Sequence, residues 1–199
     1  MIVSTESELD ALYGQPVPTS ILKEIDHISE DYGRYISASP FVIMATSGPE
    51  GLDCSPRGDP AGFVSIHDAR TLMIPDRRGN NRLDSLRNIV RDPRIALLFL
   101  IPGSGTTMRV NGTAVLSVDP DLCASFAMDG KTPKCVIVIH VERCYTQCKK
   151  AIVRAQLWDL EARQDDLPSI GAMMQNLDNG FDGKAYDAEY PERMKRTLY

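Results

Sequence analysis

The sequence predicts a mainly β, α+β fold in which antiparallel strands form a barrel or a sandwich. Three observations predict it. Short apolar runs of strand length recur between residues 41 and 141, separated by turns that carry Gly, Pro, Asn or Asp. Several of them alternate apolar and polar residues with period two, as a half-buried strand does. Helical patterns lie mostly outside this stretch and do not alternate with every strand, which argues against parallel βαβ units. With 199 residues the chain can bury one sizeable core. It shows no internal repeat, low-complexity tract or linker, so residues 1–199 are read as one domain.

Residues 19–38 read as helix in two pieces. Ile21, Leu22 and Ile25 form one apolar stripe, and Ile28, Tyr32, Tyr35 and Ile36 form another. Ser39-Pro40 stops the run, because a residue before proline avoids the helical region. Phe41–Thr46 is a short, strongly apolar strand. Gly48-Pro49-Glu50-Gly51 is a hairpin turn, Leu52–Pro56 the return strand, and Arg57-Gly58-Asp59-Pro60 follows. Val64–His67 alternates, Asp68–Arg70 turns, and Thr71–Ile74 is again apolar. Leu83, Leu86, Ile89 and Val90 share one face of a helix that ends near Asp92-Pro93. Ile95–Ile101 is the most apolar run and suits a buried strand. Pro102–Gly105 turns into Thr107–Val118, a long alternating strand with a bulge or a close backbone approach expected at Gly112. A short helix starts at Asp119-Pro120-Asp121 and runs through Met128. Cys135–Val141 is the last apolar strand, Ala151–Leu157 is helical, and the chain turns more polar from Asp159.

Composition narrows the function. The formal net charge of −5 argues against broad binding to nucleic acid. No apolar run approaches the roughly 18 residues that span a membrane, and Met1–Glu6 has neither a basic flank nor an apolar signal core. A cytoplasmic location is expected. The five cysteines (Cys54, Cys123, Cys135, Cys144 and Cys148) are odd in number, and no two have Cys-x-x-Cys spacing. No metal site is expected, and the thiols are read as reduced and partly buried.

The basic character is concentrated. Between Arg70 and Arg94 stand seven arginines against three aspartates. At its centre Pro75-Asp76-Arg77-Arg78-Gly79-Asn80-Asn81-Arg82 joins a strand to a helix. Asn81 is the candidate N-cap, with Asp84 three residues on where a capping-box carboxylate belongs. A helix N-terminus presents unpaired N–H groups and a positive dipole end. Arginine adds planar donors that match phosphate oxygens, and glycine permits close approach. These are the parts of a phosphate site; the alternative is a solvated basic turn.

The order of elements resembles the pyridoxamine 5′-phosphate oxidase-like family of split barrels that bind flavin mononucleotide (FMN). The resemblance covers nearly the whole chain and lies nearest a group of FMN-dependent proteins of unassigned substrate. It rests on Phe41–Thr46, Ser55-Pro56-Arg57-Gly58-Asp59, Pro75–Arg82, Met108-Arg109-Val110-Asn111-Gly112, Cys148-Lys149-Lys150-Ala151 and Leu157-Trp158. It implies a six-stranded antiparallel split β-barrel over about 41–146, with peripheral helical segments at about 19–38 and 149–199. It implies a homodimer with FMN at the subunit interface and an oxidoreductase acting on a small molecule. Carried over by position, Arg57, Arg78, Asn80, Asn81 and Arg82 are phosphate-side residues within the Pro75–Arg82 loop and its strand neighbour. Arg109 and Asn111 match a segment near the flavin, and Gln156 and Trp158 match one that reaches the partner's flavin. One feature departs from the pattern: no histidine follows His140, so the C-terminal arginine–histidine motif of true pyridoxamine phosphate oxidases is missing.

Other residues read as structural. Arg109 and Asn111 share a strand face, which is either flavin-facing or solvated. His67 reads as strand surface, His140 as a core or interface histidine, and Arg87, Arg91 and Arg94 as a solvated face. Ser55, Cys54 and Ser104 lack a base at useful spacing, so nucleophilic catalysis finds no support. The competing functions are a flavin carrier without turnover and a split barrel that holds haem or deazaflavin.

Overall fold

The computed structural model describes residues 2–162 and 166–199. Met1 and positions 163–165 of the expected C-terminal segment lie outside the described residues. The chain opens with α1 (Glu6–Tyr13), α2 (Pro18–Leu22) and α3 (Glu30–Ala38). Then come β1 (Phe41–Gly48), β2 (Gly51–Gly58), β3 (Ser65–Asp68), β4 (Thr71–Pro75) and α4 (Asp84–Arg91). β5 (Arg94–Leu100), β6 (Thr107–Ser117), α5 (Pro120–Ser125) and β7 (Val136–Gln147) complete the sheet. The C-terminal part holds α6 (Lys150–Arg154), a 3₁₀ turn at Leu160–Ala162, α7 (Ile170–Leu177) and α8 (Gly183–Thr197). Among the described residues no helix is long and apolar enough to cross a membrane.

All seven strands lie in one sheet of order β2-β1-β5-β6-β7-β4-β3, every neighbour antiparallel. This corrects the expected count of six strands and the closed outline: β2 and β3 are free edges of an open sheet. The alternation in the sequence decides the faces. Val42, Met44, Leu97, Phe99, Met108, Val110, Ile137 and Ile139 point to one side and are almost wholly buried. Their alternate neighbours Ile43, Ala45, Ala96 and Leu98 on the other side are only partly covered, and Val115 is 62% exposed.

Helices close the buried side. α3, capped by Ser29, inserts Ile36 into the core, and α4 inserts Leu86 and Ile89. Gly112 shows why the long strand needs a glycine. The β6–β7 register shifts between Asn111 and Gly112, and a Cβ on Gly112 would stand 1.9 Å from the His140 carbonyl oxygen. The bulge expected there is present.

Several expectations change. The N-terminal helix α1, with a Thr5/Glu8 capping box, was not expected from the sequence. β7 runs past the expected Val141 through Cys144 to Gln147, so Cys144 lies in a strand; all five cysteines are free. α6 is shorter than Ala151–Leu157. His140 lies on the outward side of β7 and is exposed, not in the core.

Candidate functional site

β4 ends at Pro75, which is buried and paired with Val136. The chain then leaves the sheet through Asp76–Leu83 and enters α4. The cap differs from the expected one. Asn81 has φ 59° and Leu83 has φ 63°, so both sit in the left-handed region, and Leu83 is the N-cap. The Asp84 carboxylate accepts from Arg82 Nε, and Asn80 Oδ1 accepts the Arg82 amide at 3.0 Å. No side chain caps the helix, so its first N–H groups face the loop side unpaired by a cap. The helix start is pinned from within instead. The Ser85 hydroxyl donates to Asp53 Oδ2 and lies 3.1 Å from Ser55 Oγ, and Asn88 Nδ2 donates to Thr46 Oγ1 at 3.2 Å.

This junction forms one wall of a cavity of about 1020 Å³. Asp53, Ser55 and Arg57 on the inward side of β2 supply another wall, and Lys131–Cys135 at the entry to β7 supply a third, with Tyr199 between them. Arg57, Arg77, Arg78, Arg82, Lys131 and Lys134 outnumber Asp53, Asp76 and Asp84 along the lining. The cavity is therefore locally cationic in a chain of net charge −5.

The arginines fall into two groups. Arg77 is committed to the protein: Nε donates to Asp59 Oδ2 at 2.7 Å and Nη1 donates to the Phe126 carbonyl at 2.6 Å. Asp59 is 1% exposed and Arg77 18%, so this is an inner strut. Arg57 reaches across the open edge of the sheet to Asp76, 3.5 Å away. Its Nε is buried and has no hydrogen-bond partner among the described residues. Burial pushes the Asp76 carboxyl above its ordinary pKa, while Arg57 and Lys134 pull it back. Burial, with the Asp76 charge beside it, lifts the Cys135 thiol to about 11. Arg78, Asn80, Asn81 and Arg82 are exposed at the mouth, and Arg78 has no protein partner among the described residues.

The structure thus gathers Arg57, Asp76, Arg77, Arg78, Gly79, Asn80, Asn81 and Arg82 in one place, whereas Pro75 is covered. Arg109, Asn111, Gln156 and Trp158 do not line this cavity within one chain. Arg109 lies on the outward side of β6, 3.1 Å from the Tyr145 hydroxyl. Trp158 donates its indole N–H to the Ser104 carbonyl at 2.6 Å, beside Gln156 at a shallow groove by the β5–β6 loop. Lys131, Lys134 and Tyr199 were missed in the sequence. They come from distant segments, and no local spacing signals them.

Fold and site together define a class: an open antiparallel sheet with a cationic cavity where a strand, an arginine-rich loop and a helix meet. The sequence profile of pyridoxamine 5′-phosphate oxidase matches residues 28–148, more than half of the chain. The chain belongs to the pyridoxamine 5′-phosphate oxidase family. No curated protein matches it. Among solved structures it is similar to HupZ of Group A Streptococcus, at 19% identity and a TM-score of 0.50, covering 61% of this chain and 94% of that one. General Stress Protein 26 of Bacillus anthracis aligns at 14% identity and TM-score 0.44, covering 57% of this chain and 88% of that one. An FMN-binding protein of Syntrophomonas wolfei aligns at 13% and 0.42, with coverages of 57% and 78%. The likeness to HupZ shows the fold.

Proposed function

We propose that this protein binds FMN and is an FMN-dependent oxidoreductase for a small molecule, working in the cytoplasm as a homodimer. One observation carries the reading. The cavity combines the buried Arg57 Nε, unpartnered among the described residues, an α4 N-terminus without a side-chain cap, and at its mouth Arg78, which has no protein partner among the described residues, beside Arg82, whose only ion pair there is the exposed one with Asp84. A buried donor without a partner is costly, and an acceptor from a ligand would remove that cost. A phosphate fits, because it brings several acceptor oxygens and a negative charge to a helix N-terminus. Arg57, Arg78, Asn80, Asn81 and Arg82 would hold it. A bound flavin would supply hydride-transfer chemistry, and the protein would bind and orient it.

Arg109, Asn111, Gln156 and Trp158 support the dimer. They lie away from the chain's own cavity, on or beside the outward sheet face where Ile43, Leu98 and Val115 are incompletely covered. A second copy packed there would cover that face and present these residues to its own partner's flavin. Light scattering with FMN bound tests this: a mass twice the 22.0 kDa of the chain is expected, and a monomer would refute it. Stopped-flow reduction of the bound flavin by NADH or NADPH separates an enzyme, which shows a fast phase, from a flavin carrier.

A further inference from the structure

Tyr199 lies just beyond α8, far in sequence from the cavity it lines. Its hydroxyl donates to Asp59 Oδ1 at 2.8 Å. The other Asp59 oxygen accepts Arg77 Nε. The Arg77 guanidinium carbon stands 5.7 Å from the centre of the Tyr199 ring, within cation–π range. Lys131 Nζ donates to the Tyr199 main-chain oxygen at 2.8 Å. One tyrosine therefore joins the segment after β2, the first residue pair of the arginine-rich loop and the loop before β7.

The physics gives this junction a purpose. Asp59 is almost wholly buried, and a buried carboxylate must have its charge matched and its lone pairs filled. Among the described residues, Arg77 and Tyr199 are the two side-chain donors that do so. Without the tyrosine hydroxyl, Asp59 loses a charge-assisted hydrogen bond and Arg77 loses a well-held anchor; without the whole side chain, Arg77 loses its ring contact as well. Arg77 is covalently next to Arg78, so the position of the strut sets where the exposed arginines begin. Asp59 in turn raises the pKa of the Tyr199 hydroxyl and keeps it a donor.

We propose that Tyr199 is a positioning residue for the phosphate-holding loop: through Asp59 it fixes Arg77, and through Arg77 it fixes Arg78–Arg82. The ligand part rests on the FMN reading above; the effect on Arg77 does not. Trypsin reads the latter without ligand, because cleavage after Arg77 requires its side chain to leave Asp59 and the Phe126 carbonyl. The ratio of cleavage after Arg77 to cleavage after exposed Arg34 is measured by mass spectrometry in wild type, Y199F and Y199A. Loss of one charge-assisted hydrogen bond should raise the ratio about tenfold in Y199F, and further in Y199A, which also loses the ring. An unchanged ratio in Y199F overturns the proposal, and Y199F suffices if Y199A does not fold. FMN and riboflavin titrations on the same variants read the consequence. Greater weakening of FMN supports positioning of the phosphate loop, and equal weakening of both overturns it. Failure of the wild type to take up FMN would defeat the FMN reading alone, and the cleavage ratio would still decide the role of Tyr199.

Discussion

Replacing Arg78 and Arg82 together by alanine should weaken FMN far more than riboflavin, which lacks the phosphate. The structure sets the magnitude. The Arg82 side chain is 78% exposed and its pair with Asp84 is a surface pair, worth about 0–1 kcal/mol. Arg78 is exposed without a protein partner among the described residues. Neither contributes to the core, so folding stability should move by less than about 1 kcal/mol for the double change. A hydrogen bond to a charged group contributes roughly 1.5–3 kcal/mol, so losing even one phosphate contact should raise the Kd for FMN about tenfold or more. Titration by quenching of flavin fluorescence gives both affinities, and a urea melt gives the stability. Equal weakening of FMN and riboflavin would show that these arginines do not read the phosphate. A large loss of stability would make them structural, and the loop would be a basic turn and nothing more.

Three further outcomes are expected. Asp59→Ala leaves Arg77 inside without its anion, so it should cost about 3 kcal/mol and lower Tm by several degrees in calorimetry, against almost nothing for Arg82→Ala. Gly112→Ala places a methyl against the His140 carbonyl, so the urea midpoint should fall by the equivalent of about 3 kcal/mol, or the chain should fail to fold. For the thiols the thiolate is the reactive form: burial holds Cys144 up to about 12 and Cys135 at about 11, whereas the Lys150 backbone N–H lowers the pKa of exposed Cys148. Iodoacetamide at pH 8 should therefore label Cys148 ahead of both buried thiols in a mass-spectrometric time course, and early labelling of Cys144 would contradict the packing of β7.

The strands were legible because alternation and burial share a period. Met108, Val110, Gly112 and Ala114 all face inward on β6, and the one glycine among them marked the bulge. The N-terminal part of the arginine-rich loop was legible from its composition. Its junction with α4 was not. Asn81 has good cap chemistry, yet the helix starts three residues later, because Ser85 and Asn88 dock on Asp53 and Thr46 and dictate where the first turn must lie. Two left-handed residues on either side of Arg82, Asn81 and Leu83, accommodate that docking. The same limit hid the role of Arg77. From sequence it is one of three equivalent arginines, and only the fold shows that Asp59 takes it out of the ligand-facing set. Lys131 and Tyr199 reach the cavity through the packing of the sheet and of α8, which no window of the sequence contains.

The central claim, a phosphate-bearing flavin in the cavity beside Arg57 and Arg78–Arg82, is tested most directly by titrating the wild-type protein with FMN in a calorimeter. Binding at micromolar or tighter Kd, with riboflavin at least about tenfold weaker, is the predicted result. No heat and no quenching of flavin fluorescence at saturating FMN would contradict it.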